Sequence, residues 1–147
     1  MLSQLLVGSA LLIATVIIHS LVTAFFLSRV RGLRSKHWTT HHLAAGTGLV
    51  AGLVFLFFLA TLVEVALWAI TYTAVDAMTA FEPALYFSMV TFTTLGYGDI
   101  VLTDAWRLLA SFQAATGIII FGWTTAVLVA LMQRLIRLRE GASGGTH

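Results

Sequence analysis

The chain has no cysteine, a single proline and only six acidic residues among its 147 positions. Without cysteine there is no disulfide framework, no thiol nucleophile and no cysteine metal site. It also leaves the redox compartment unread. Charged residues make up 10% of the sequence and hydrophobic ones 59%. A soluble domain of this size would expose far more charge. The net charge of +2 and pI near 9.5 raise nucleic acid as a partner. The basic residues, however, flank apolar runs, which is the pattern of membrane orientation. The expected surroundings are therefore a lipid bilayer, with no nucleic acid. Neither a nucleotide-binding loop nor a nucleophile–base set stands out, so no enzyme and no cofactor are expected.

The long uncharged stretches come next. Leu2 to Ser28 holds no Lys, Arg, Asp or Glu. As a helix it would reach about 40 Å, enough to cross a bilayer core with tilt. A cleaved signal peptide would start basic and be shorter. This segment carries its positive charge after the apolar run, so a retained helix is expected. Arg29, Arg31, Arg34, Lys36, His37, His41 and His42 follow without an acid, a basic connector. The arginines lie beyond the span at irregular spacing, which favours interfacial anchoring over a voltage sensor. The histidines titrate near neutrality, but solvated interfacial histidines are the plainer reading. Leu43 to Thr73 is a second span, with Ala44, Gly48 and Gly52 spaced for close helix approach. A third runs from Ala105, capped by Thr103-Asp104, to about Leu138. Trp38, Trp68 and Trp106 suit interfacial belts.

Between the second and third spans, Pro83 suits a first helical position. Ala84 to Thr93 then forms an apolar helix of about 16 Å at most. That is too short to span, and re-entrant backbone survives at membrane depth only when protein or water surrounds it. The next residues are Thr93-Thr94-Leu95-Gly96-Tyr97-Gly98-Asp99-Ile100. Glycine at alternate positions lets the backbone adopt conformations other residues resist. Successive carbonyls can then face one axis, and several copies around it would replace the water shell of a cation.

This run closely resembles the selectivity-filter signature of potassium channels, Thr-Val-Gly-Tyr-Gly-Asp, with Leu95 in the Val place. Ala84-Leu85-Tyr86-Phe87-Ser88 also resembles the start of that family's pore helix. The resemblance covers about residues 43–138. It implies an all-α membrane protein: three transmembrane helices plus a re-entrant pore helix and filter, assembled as a homotetramer. Residues 1–42 would be a peripheral helix and connector, 43–140 the pore domain, and 141–147 a flexible tail. The carbonyls of Thr94, Leu95, Gly96 and Tyr97, with the Thr94 hydroxyl and Gly98 closing the strand, would bind K+. Thr93 would sit at the cavity end. Tyr97 would wedge against Tyr86 or Phe87. Asp99 would need a donor, Tyr86 or Trp106, because Val90 stands where some relatives carry a Glu.

Resemblance also makes Gly117 and Gly122 gate-hinge candidates, with close helix packing as the alternative. Thr116, Ile120, Thr124 and Leu128, four apart, are expected to line a cavity. His19 and Glu64 lie within spans, where ionisable groups usually have a partner: for His19 a contact between helices is expected, and for Glu64 either protonation or pairing with a polar group of the filter support. Counting Lys and Arg places seven on one side, the connector and the end of the third span, against Arg107 on the other. A multi-pass protein of the cell membrane is expected, with the N-terminus outside and the C-terminus cytoplasmic. Asp76, Glu82, Asp99 and Asp104 would then form an acidic outer mouth. The expected function is passive, potassium-selective conduction. The alternatives are a weakly selective cation channel and a non-conducting subunit or sensor that keeps the pore fold.

Overall fold

The computed structural model describes residues 1–31 and 42–143. It is all helical among those residues: α1 Leu2–Arg31, α2 His42–Ala74, α3 Phe81–Phe92 and α4 Arg107–Ser143. Arg34, Lys36, His37, Trp38 and His41 of the basic connector, and the tail from Gly144, lie outside the described residues. Three helices are long and apolar enough to cross a membrane: Leu2–Val30, Gly46–Ala74 and Arg107–Arg137. The fourth, α3, has 12 residues. Its length of about 18 Å cannot cross a bilayer core.

One stripe attaches α1 to the bundle. Gln4, Gly8, Leu11, Thr15, His19, Thr23, Phe26 and Val30 are buried at steps of three and four, the repeat of a helix face. Leu6, Ile13, Ile17, Leu21 and Phe25 on the opposite side are exposed. The polar Gln4, Thr15, His19 and Thr23 face protein and the large apolar side chains opposite face outward, as expected where the surrounding solvent is hydrocarbon. The stripe packs against both α2 and α4. Trp68 Nε1 donates to Thr15 Oγ1 at 3.3 Å, and one turn along, His19 Nδ1 meets Glu64 Oε1 at 3.0 Å. Ascending α1 therefore descends α2, so the two are antiparallel. Gln4 reaches Leu108 and His19 reaches Thr124, so α1 and α4 run parallel.

Side chains from all the helices build two core clusters. One joins Leu11, Val65, Trp68, Tyr72, Ala84, Phe87, Phe92, Leu109 and Ile120 and surrounds α3. The other joins Phe26, Val30, Leu53, Phe57 and Leu131 near the far end of α1. Gly8 makes close packing possible: a Cβ there would lie 2.7 Å from Phe112 Cγ. Gly48 and Gly52 meet nothing within 4 Å. The small-residue face expected on α2 is thus open in the single chain.

Two helix starts differ from the sequence expectation. α3 begins at Phe81 behind the extended Ala80, so Pro83 is its third residue rather than its first. Its missing N–H is still one of the first-turn donors that lack a helical partner. α4 begins at Arg107 rather than Ala105. The N–H groups of Trp106 and Arg107 donate to the Thr103 carbonyl at 2.9 and 3.0 Å, closing a tight turn before the helix. The Leu108 N–H is capped by Gln4 Oε1 of α1 at 3.1 Å. A cap supplied from 104 residues away has no local signature.

Candidate functional site

The link from α3 to α4 carries the unusual backbone. Thr94, Gly96 and Gly98 have φ of 59°, 56° and 78°, alternating with Leu95 and Tyr97 in ordinary conformations. In a regular strand successive peptides face opposite ways. Reversing φ at every second residue turns them the same way. Glycine adopts positive φ freely, but a β-branched threonine does so at a cost of about 1–3 kcal/mol. Local hydrogen bonds hold Thr94 there. Its N–H donates to Thr91 O at 3.0 Å, and those of Leu95 and Gly96 donate to Val90 O at 3.0 and 3.3 Å. The N–H groups are thus tied back to the end of α3. Among the described residues, the carbonyls of Thr94, Leu95, Gly96 and Tyr97 accept no hydrogen bond. Thr93 to Asp99 is exposed throughout. Thr93 Oγ1 donates to Met89 O at 2.8 Å, turned back to the helix. The C-terminal, negative end of the α3 dipole meets this strand.

At the other end of the strand, Tyr86 Oη donates to Asp99 Oδ2 at 2.8 Å. The bond to the Asp99 carboxylate holds the Tyr86 phenol above its ordinary pKa. Trp106 instead packs against the core cluster around α3. Tyr97 is 66% exposed, and Phe87 meets Tyr72 edge-on at 5.3 Å. Within one chain, then, Phe87 serves the α2–α3 contact, not a wedge for Tyr97.

Behind α3 lies a polar lattice that the sequence did not disclose. Tyr72 Oη of α2 donates to Gln113 Oε1 of α4 at 2.7 Å. Gln113 Nε2 donates to Ser88 Oγ and Ser88 O of α3 at 2.6 and 3.3 Å. Ser88 Oγ donates to Val65 O of α2 at 2.7 Å. The available signal was a glutamine inside an apolar span. The missing pieces were its partners, 25 and 41 residues away.

A second polar contact joins the three long helices. His19 of α1 meets Glu64 of α2 at 3.0 Å through Nδ1 and Thr124 of α4 at 3.2 Å through Nε2. It stacks on Phe57 at 4.7 Å and has Trp123 edge-on at 5.9 Å. His19 and Glu64 are both fully buried. Glu64 Oε2 has no hydrogen-bond partner among the described residues. The partner of Glu64 is therefore His19 of α1 and not a polar group of the filter support.

The cavity-lining register expected on α4 is corrected. Thr116 and Ile120 are fully buried, Thr124 meets His19, and Leu128 packs on the second core cluster. That face serves the chain's own bundle, because the polar groups of α1 and α3 lie against it. Ile118, Gly122, Thr125 and Val129 form an exposed stripe instead. Of the two hinge candidates, a Cβ on Gly117 would overlap the Phe92 carbonyl, so this glycine lets α4 touch the end of α3. Phe92 and Phe121 meet edge-on at 5.8 Å beside it. Gly122 meets nothing within 4 Å.

A short helix, an exposed strand with turned peptides and two flanking spans make up the region 52–134, and an ion channel family model matches those residues. The chain belongs to that ion channel family. Membership makes it a membrane ion-transport protein, potassium-channel-like in its pore region, rather than an enzyme. No curated protein and no solved structure matches it. The family match takes in most of α2, all of α3, the strand and most of α4, and leaves α1 outside. Among the described residues, no group of three or more His, Asp or Glu side chains could hold a metal ion.

Proposed function

We propose that this ion channel conducts potassium selectively through a filter formed by four copies of Thr94-Leu95-Gly96-Tyr97-Gly98. The alternation of positive φ at Thr94, Gly96 and Gly98, with the intervening carbonyls free, carries this reading. One strand offers oxygens on one side only, so enclosing an ion takes several chains around a common axis. Rings of carbonyls then replace the hydration shell, and ions in file leave by mutual repulsion. Tyr86 holds Asp99 at the outer end, and the α3 dipole favours a cation at the inner end. The excess of Lys and Arg in the connector and at the end of α4 supports a cell-membrane topology with the N-terminus outside and the C-terminus in the cytoplasm.

The test is potassium and sodium flux into liposomes containing the purified protein, with Gly96→Ala as control. At φ of +56° a side chain is strained whatever the space. The expected outcome is potassium flux well above sodium flux, abolished in the variant, from a particle whose mass in detergent is that of four chains. Equal fluxes would leave a weakly selective cation channel. No flux under several triggers would leave a non-conducting subunit or sensor.

A further inference from the structure

The lattice behind α3 has no part in the reading above, and its geometry goes further than helix packing. Tyr72, Ser88 and Gln113 are all fully buried. Both Nε2 protons of Gln113 have acceptors on Ser88, and its Oε1 takes the Tyr72 hydroxyl. Ser88 Oγ accepts from Gln113 and donates to Val65 O. One side chain of α4 thus ties α2 to α3 with no polar atom left over. Such fully satisfied networks fix a single arrangement, whereas apolar contacts tolerate sliding.

What the lattice fixes is the seat of the strand. Ser88 lies two residues before Val90, whose carbonyl accepts the N–H groups of Leu95 and Gly96. One turn beyond Gln113, Gly117 lies against the Phe92 carbonyl. A slip or rotation of α3 would carry the Val90 carbonyl, and with it the two residues at the centre of the strand. Position 90 is valine, so no acid supports the strand from that site.

We infer that Gln113, through Ser88, is a positioning residue that sets the ion selectivity of the strand Thr94–Gly98, with Tyr72 holding its amide in place. This rests on the potassium-channel reading. Its atoms touch no ion. They hold the helix that holds the carbonyls, and a site of this kind needs its supporting groups fixed to about half an ångström.

The test compares the wild type with Gln113→Met, Tyr72→Phe and Ser88→Ala in liposomes, by reversal potential in mixed potassium and sodium. Melting temperature and particle size are followed in parallel. Gln113→Met keeps the side-chain length and removes every hydrogen bond. Tyr72→Phe keeps Gln113 and frees its carbonyl end. The expected result is a fall of about fivefold or more in the potassium-to-sodium permeability ratio for Gln113→Met, the effect of roughly one buried hydrogen bond. Tyr72→Phe and Ser88→Ala should give smaller falls in the same direction, all at unchanged particle size. Loss of melting temperature alone is what a merely structural lattice would give. Folded variants with the wild-type ratio overturn the inference. If Gln113→Met does not assemble, the other two decide: a lowered ratio in either supports it, and wild-type ratios in both overturn it. A wild type that does not itself distinguish potassium from sodium overturns the potassium-selective reading, and this inference falls with it.

Discussion

A methyl group added at position 117 would run into the Phe92 carbonyl, which is backbone and cannot rotate away. Gly117→Ala should therefore separate α4 from the end of α3 and cost about 1–3 kcal/mol or more, as overpacking does. Gly122→Ala, in open space within the chain, should leave unfolding of the single subunit nearly unchanged. Melting of the two variants in detergent checks the contrast, and equal losses would contradict it. A glycine in an apolar span reads the same whether it bends the helix or admits a neighbour, and only the fold brings Phe92 to Gly117. Local features were open to reading: glycines at 96 and 98, alternating between two apolar helices, permit positive φ. The positive φ of Thr94 was not, because threonine resists it and only hydrogen bonds to the end of α3 enforce it.

His19 is the one side chain among the described residues whose hydrogen bonds join all three long helices. Removing one member of a buried hydrogen-bonded pair leaves the other unsatisfied, at a cost of about 1–3 kcal/mol, while replacing both with apolar residues can be nearly neutral. His19→Leu and Glu64→Leu should each destabilise by that amount, and the double variant by clearly less than their sum. Reversible unfolding in detergent gives the double-mutant cycle, and strict additivity would deny the coupling. The spans themselves were legible because a long uncharged run admits few other structures. The facing of α4 was not. Periodicity says that Thr116, Ile120, Thr124 and Leu128 share a side, but not whether that side meets a pore or α1. His19 and Gln113 pointed inward by their polarity, yet their partners lie 45 residues away and more or on two other helices.

In the channel, Asp76 and Glu82 fall beside the loop between α2 and α3, and Asp99 and Asp104 follow the strand, so all four acids sit at one end of the bundle. Asp104 already pairs with Arg107 at 3.0 Å and Asp99 with Tyr86, so on the proposed conduction path Asp76 and Glu82 are the acids expected to draw in cations. Neutralising both, as Asp76→Asn with Glu82→Gln, should lower potassium flux roughly twofold or more at low ionic strength. The difference should vanish near 1 M salt, where the screening length is about 3 Å. A deficit that persists at high salt would point to altered folding.

The way α1 is held also sets a timetable for synthesis. His19 leaves the ribosome 45 residues ahead of Glu64 and 105 ahead of Thr124. At about 5–20 residues per second the imidazole waits roughly 2–9 s for the carboxylate and 5–21 s for the hydroxyl. During that wait the glutamine, histidine and threonines along one side of α1 are without the partners they meet in the folded chain. The polar stripe of α1 is therefore completed only once α4 has been made, although α1 precedes α4 by the length of the pore region.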